Sequence, residues 1–262
     1  NNEEVAARAD QWLAERAARE TLSLLLPETG GWVETPTSAQ IVETLEYAKI
    51  SGDLVLVYGE PGTGKTITFR HYALSRRNVW CVTATPAHAS VTGFLASVAT
   101  AVGVRGVRYQ RARLHDEVVA RIKGTQGLVI VDEAQFLTRQ ALEEARAIYD
   151  ACGETVGLCL GGDARLHASV HGEDFAQLSS RVGAPLFIPG PRESDAEKIV
   201  EALKIGDGRA RKFLLDVASR GEAGGIRMLV KAARLAGRKA AGRPVQLHHI
   251  QEAHAALAGG EA

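Results

Sequence analysis

Residues 54–66 read Leu-Val-Leu-Val-Tyr-Gly-Glu-Pro-Gly-Thr-Gly-Lys-Thr, an apolar run that breaks into glycines and ends in lysine and threonine. No other stretch constrains the fold as tightly. An unbroken apolar run bounded by turn residues predicts a strand buried on both faces. The segment after it, Gly59-Glu60-Pro61-Gly62-Thr63-Gly64-Lys65-Thr66, fits the pattern G-x-x-x-x-G-K-[ST]. Its glycines permit backbone angles that other residues resist, so successive N–H groups turn inward around phosphate oxygens. A helix opening near Lys65 adds its positive end. Lys65 then reaches the β and γ phosphates, and the Thr66 hydroxyl ligates magnesium. The bland alternative, a glycine-rich turn, does not require the flanking strand and helix.

A second apolar strand complements the first. Leu128-Val129-Ile130-Val131 delivers Asp132 and Glu133 at its carboxyl end, where open α/β sheets bind ligands. Asp132 is placed to hold a magnesium shell and Glu133 to polarise an attacking water, general-base work worth roughly 10²–10⁴ in rate. Alone, a strand ending in Asp-Glu is usually a strand meeting solvent; its position after a phosphate loop makes it functional. The adjacent glutamate, and the lack of an Asn-Lys-x-Asp guanine-reading motif, favour ATP over GTP.

Further strands are expected at 78–85, 156–163 and 185–190. Helices are expected at 38–51, from Lys65, at 88–102, 114–124 and 138–151. After Gly190-Pro191 the strand pattern stops, and 194–204, 208–219, 225–241 and 246–258 all read as helices. The fold class is therefore α/β, a parallel sheet flanked by helices, with a small all-helical C-terminal domain. The expected divisions are 1–36 (helix 3–20 and a turn-rich linker), 37–190 and 191–262. With 31 Lys plus Arg against 31 Asp plus Glu, no global field draws the protein to nucleic acid or membrane, so such a partner needs a local patch. Cys81, Cys152 and Cys159 have no metal spacing and form no disulfide framework. The absence of a spanning apolar run and of a signal peptide points to a cytoplasmic protein. Met228 is the only methionine, so residues are expected to precede Asn1.

With these motifs in place, the chain resembles the AAA+ ATPases. More narrowly, "NVWCVTATPAHASV", "GTQGLVIVDEAQFL", "FAQLSSRV" and "RMLVKAARLA" are similar to the phage Mu transposition protein B family. That resemblance covers about residues 5–258. It implies an ATPase with Mg2+ that binds double-stranded DNA largely without sequence preference, polymerises on it as a helical filament, hydrolyses ATP slowly and passes target DNA to a DDE-type transposase. Residues 3–20 then correspond to the last helix of a preceding helix-turn-helix domain. The resemblance makes Arg181 an arginine finger reaching the neighbouring subunit's nucleotide, an interaction worth roughly 10³–10⁵ in rate. It makes Arg227, in Gly224-Gly225-Ile226-Arg227, a γ-phosphate sensor in cis. Arg227 also begins a stripe with Lys231, Arg234 and Arg238 on one helix face, whose default reading is a solvated surface. At the end of strand 156–163 the family carries a neutral polar residue, whereas this chain has Asp163. A carboxylate there repels phosphate unless protonated or paired, for instance with Arg165, and implies slow hydrolysis.

For DNA, "GVRGVRYQRAR" (103–113) places Arg105, Arg108, Arg111 and Arg113 on an irregular basic link with no acidic residue, with Lys123 and Arg139 as weaker candidates. Such residues answer backbone phosphates and read no sequence. The default is a solubilising loop. His248, His249 and His254 share a predicted helix without implying a metal site. Two other readings stay open: a helicase-loader-like ATPase, and a secretion-type AAA+ scaffold that does not bind DNA.

Overall fold

The structure, a computed structural model, describes residues 32–104, 110–170, 181–219 and 225–259. The expected helix at 3–20 lies outside the described residues, as do Arg105, Arg108 and Gly224. Two compact units emerge, one spanning Pro36–Gly190 and the other including Pro191 onward.

The first unit is built on five strands: β1 (Leu54–Gly59), β2 (Val79–Thr83), β3 (Gly127–Asp132), β4 (Val156–Gly162) and β5 (Val182–Ile188). They lie in the order β2-β3-β4-β1-β5, and every pairing is parallel. The helices are α1 (Pro36–Ser51), α2 (Lys65–Ser75), α3 (Val91–Ala101), α4 (Arg111–Ile122), α5 (Arg139–Cys152) and the short α6 (Ala164–Val170). Alternate strand residues serve opposite cores. Val55, Val57, Leu128, Ile130 and Cys159 pack with Ile41 and Leu45 of α1 and with Phe69 and Tyr72 of α2. Leu54, Leu56, Val129, Val131, Leu158 and Leu160 pack against residues of α3–α6. Burial on both faces is why the central strands read as unbroken apolar runs.

Three expectations need correction. The last strand begins at Val182 rather than 185, because Val182 and Ala184 already pair with Leu54 and Val55 of β1 on either side of a bulge at Gly183. Helix α4 starts at Arg111, so Arg111 and Arg113 stand on a helix and not on an irregular link. Leu114, Val118 and Ile122, four apart, bury its inner face. Helix α6 has no counterpart among the expected elements. Cys152 and Cys159 are buried free thiols, and burial pushes Cys81 up to about 12, so none is a poised nucleophile.

The second unit contains α7 (Glu193–Ala202), α8 (Gly208–Ser219), α9 (Gly225–Ala240) and α10 (Leu247–Leu257) around their own core, with Leu214, Leu229, Ala232, Ala236 and Ile250 at its centre. Arg227, Lys231, Arg234 and Arg238 occupy the exposed face of α9. His249 closes the N-terminal cap of α10 by accepting a hydrogen bond from the Gln246 N–H at 3.1 Å.

Candidate nucleotide site

The loop between β1 and α2 is held in the conformation its glycines allow. Gly59, Gly62 and Gly64 have φ of 142°, 81° and 96°. At Gly59 a side chain is excluded twice over, since a Cβ would stand 2.0 Å from the Ile188 carbonyl oxygen of β5. The Glu60 N–H donates to that same carbonyl at 3.1 Å, tying the start of the loop to the end of β5. Gly64 then leads directly into α2, which places a helix N-terminus under the loop.

Lys65 curls back over this turn. Its Nζ donates to the carbonyls of Gly59 at 2.9 Å and Glu60 at 2.8 Å. Burial lowers its pKa, and the charges of Glu133, Asp132, Asp163 and Glu60 oppose that shift. The lysine therefore sits within the field of the carboxylates at the carboxyl ends of β3 and β4. Asp132 is buried, 2% exposed. Burial raises its pKa, while a hydrogen bond from the Thr66 side chain opposes the rise. Two residues predicted to share a magnesium ion, from different elements, are thus in direct contact. Among the described residues no group of three or more His, Cys, Asp or Glu side chains forms a metal cage. Mg2+ does not require one, because it keeps waters and substrate phosphates in its shell. The donor set fits Mg2+ carried with a nucleoside triphosphate.

Glu133 adopts a left-handed backbone, φ 56° and ψ 34°, a conformation that costs free energy in a non-glycine residue and concentrates at functional sites. Its N–H donates to Asp132 Oδ1 at 3.0 Å. Its carboxylate accepts a hydrogen bond from the Gln135 side-chain amide. Gln135 is a residue that the motifs alone do not single out. Its other amide atom, Oε1, is buried and lacks a hydrogen-bond partner. It lies so close to the end of β4 that a Cβ on Gly162 would be 2.5 Å away. The glycine in "GGD" and the glutamine in "DEAQ" carry this signal together, but only once β3 and β4 are neighbours.

Asp163 is paired with Arg165, the alternative to a bare carboxylate. Its Oδ1 accepts from the Arg165 N–H at 2.9 Å, and its Oδ2 meets the Arg165 guanidinium at 2.7 Å. Partial burial pushes the Asp163 carboxyl up, but the hydrogen bonds and charge of Arg165 outweigh it and hold the group below the ordinary range. Asp163 is ionised and engaged at the start of α6. Arg165 also lies over the Phe136 ring, 5.7 Å from its centroid.

Arg181 stands just before β5 with its side chain 57% exposed, 3.6 Å from Asp150. Val182 pairs with Leu54 while Ile188 pairs with Gly59. Six strand steps, about 20 Å, therefore separate Arg181 from the loop of its own chain.

A groove of about 780 Å³ lies near the N-termini of α3, α4 and α5, lined by three guanidiniums, Arg111, Arg139 and Arg146, and by three carboxylates, Asp116, Glu143 and Glu144. Arg111 Nε donates to Thr92 Oγ1 at 2.8 Å, and the Thr138 N–H donates to the Ala89 carbonyl at 2.9 Å, joining the three starts. Arg111 and Arg139, remote in sequence, share this groove. Arg113 lies on the exposed side of α4 and outside the groove lining. Lys123 caps the far end of α4, about 17 Å along the helix, so it cannot join the same patch.

Residues 50–168 match the family described as AAA domain, and residues 180–257 match Mu B transposition protein, C terminal. The Mu-like prophage FluMu DNA transposition protein B of Haemophilus influenzae is 34% identical over 88% of this chain and 80% of its own length. The ATP-dependent target DNA activator B of Escherichia phage Mu is 32% identical, over 93% of this chain and 77% of its own. The chain belongs to the Mu transposition protein B family. The Aeropyrum pernix ORC1 protein, solved in complex with DNA, aligns with a TM-score of 0.66 at 21% identity, covering 90% of this chain and 69% of its own. The Thermotoga maritima RuvB Holliday junction branch migration motor aligns at 0.53 and 16%, covering 84% of this chain and 68% of its own. At such identities these two show the AAA+ fold alone, which this member of the Mu B family shares.

Proposed function

We propose that this chain is an ATPase that binds ATP with Mg2+, assembles as a helical filament on double-stranded DNA, and presents that DNA to a DDE-type transposase. The observation that carries the reading is the convergence of Lys65, Thr66, Asp132 and Glu133 at one end of the sheet, in a chain whose relatives include an ATP-dependent target DNA activator. The glycine cradle binds the triphosphate, Lys65 exchanges loop carbonyls for phosphate oxygens, and Thr66 with Asp132 holds the metal. Bound Mg2+ would supply charge neutralisation at the phosphates. Glu133 orients and deprotonates water.

Slow turnover comes from Glu133 being engaged by Gln135, and not from repulsion by Asp163, whose charge Arg165 answers. Arg181, too far from its own loop, serves the adjoining protomer's phosphate. Arg111 and Arg139 in the groove, with Arg105 and Arg108, meet DNA phosphates and read no bases. The cytoplasm, where DNA and ATP coexist, is the place of action. Among the described residues no helix is long and apolar enough to cross a membrane.

Electron microscopy of the protein with linear duplex DNA tests this reading. Filaments are expected with ATP or a non-hydrolysable analogue and are expected to disperse with ADP. Filaments that ignore nucleotide would refute the switch, and a protein that never coats duplex DNA would favour the scaffold or loader reading.

A further inference from the structure

Helix α5 runs from the groove to Arg181. Arg139 and Arg146 line the groove on its first turns, and Asp150 stands on its last. An ion-pair series links the two: Arg146 bonds Glu143 at 2.8 Å and shares the Asp150 carboxylate, whose other oxygen is 3.6 Å from Arg181 Nε. Asp150 thus serves two guanidiniums, holding Arg146 tightly and Arg181 loosely. The turn bearing Arg181 is fixed from a second side. Gly183, at the register shift between β5 and β1, approaches Asp53 so closely that a Cβ would lie 2.0 Å from Asp53 Oδ2. That carboxylate is itself held by the Tyr47 hydroxyl at 2.7 Å and the Leu54 N–H at 2.8 Å. The strand just after Arg181 is therefore anchored, and the Arg181 side chain reaches toward Asp150.

We infer that Asp150 is the positioning residue for Arg181 and that Arg146, bonded to the other oxygen of the same carboxylate, offsets its charge and weakens that hold, so that an anion in the groove sets the orientation of the arginine. This rests on the reading of Arg181 as acting on an adjoining protomer's nucleotide. A phosphate of duplex DNA at the groove draws Arg146 toward it, because a guanidinium binds phosphate in bidentate fashion. Asp150 is then left to Arg181 and closes the 3.6 Å gap to a hydrogen-bonded pair. The side chain is ordered before it meets the phosphate, which lowers the entropy lost on reaching the reacting geometry. Occupancy of the groove is thereby read at the opposite end of the sheet without moving the strands.

Full-length protein is assayed for ATP turnover with and without linear duplex DNA, beside nucleotide affinity and thermal midpoint. Asp150→Asn is expected to lower DNA-stimulated turnover by roughly two- to fivefold, the factor a part-exposed ion pair supplies, with nucleotide affinity unchanged and Asp150→Glu restoring part of the loss. Arg146→Ala is expected to raise turnover without DNA and to shrink the stimulation by DNA. Because Arg181 acts on a neighbour, mixing Asp150→Asn with excess Glu133→Gln protein is expected to restore turnover per Asp150→Asn subunit, which a folding defect does not permit. Unchanged turnover in Arg181→Ala removes the finger reading itself. Loss in Arg181→Ala with none in Asp150→Asn, no rescue on mixing, or normal DNA stimulation in Arg146→Ala overturns the inference while leaving the finger in place.

Discussion

The two ends of the sheet are built on opposite principles. At the carboxyl end, charge is buried beside a glycine-rich turn: Asp132 is sealed from solvent, next to the loop in which Gly59, Gly62 and Gly64 have positive φ. At the amino end, Arg181 and Asp150 form a partly exposed ion pair, and Asp53 accepts from the Tyr47 hydroxyl. The first end brings together Lys65, Thr66, Asp132 and Glu133, the groups proposed to hold a triphosphate. The second holds the Arg181 cation, about 20 Å from the glycine-rich loop of its own chain. Under the proposed function, the end that binds is preorganised at a cost in local free energy, whereas the end that responds is held by weak, exchangeable contacts.

The largest effects are expected where that contrast is steepest. Lys65→Ala removes the side chain bonded to the carbonyls of both Gly59 and Glu60. Loss of a desolvated charge contact predicts nucleotide affinity lower by roughly a hundredfold or more, read by titration of a fluorescent ATP analogue. Retained affinity would show that the glycine cradle and helix end suffice. Glu133→Gln comes next. Turnover should fall by roughly 10²–10⁴ while binding persists, so that the protein stays on DNA in ATP. Normal hydrolysis would move the general base elsewhere and leave the strain at Glu133 unexplained.

That same contrast governs how much was legible in the sequence. Residues 59–66 and 128–133 are contiguous, so their spacing states the chemistry before any folding is known. The two-core sheet was legible because burial on both faces writes itself as apolar runs. The start of α4 was not, since Gln110 makes no side-chain cap and the first turn is Arg111-Ala112-Arg113, indistinguishable from a basic loop. Gln135 was not, because its meaning depends on Gly162 arriving from another strand. The pairing of Asp163 with Arg165, two residues on, was legible as an option, and the fold shows both Asp163 oxygens committed to it. Nothing but family resemblance points to Arg181, because the role proposed for it, across an interface, leaves no local pattern.

A smaller effect is expected at the groove. Arg111→Ala with Arg139→Ala should weaken duplex DNA binding equally for unrelated sequences and reduce the slope of log affinity against log salt by about two. Lys123→Ala, at the far end of α4, should leave the slope unchanged. Equal effects from all three would mean that DNA does not distinguish the two ends of the sheet.

The smallest effect reverses sign with ligand. Burial raises the Asp132 pKa despite the hydrogen bond from Thr66, so the folded state holds a proton more strongly than the unfolded chain does. Stability contributed by this group is therefore full below the ordinary aspartate range and is lost as pH rises through the raised folded value. At neutral pH the ionised carboxylate is a net burden on the nucleotide-free protein. Asp132→Asn should then raise the thermal midpoint by a few degrees, in the ~0.5–2 kcal/mol range typical of relieved functional sites. The gap between variant and wild type should close as pH falls below the range where aspartate ionises in the unfolded chain. With ATP and Mg2+ the order should invert, because only the wild type keeps the carboxylate that holds the metal, and ligand linkage stabilises it alone. A variant less stable than wild type at neutral pH without nucleotide would mean that Asp132 is part of the scaffold, and the carboxyl end would lose its claim to be a site preorganised at the expense of the fold.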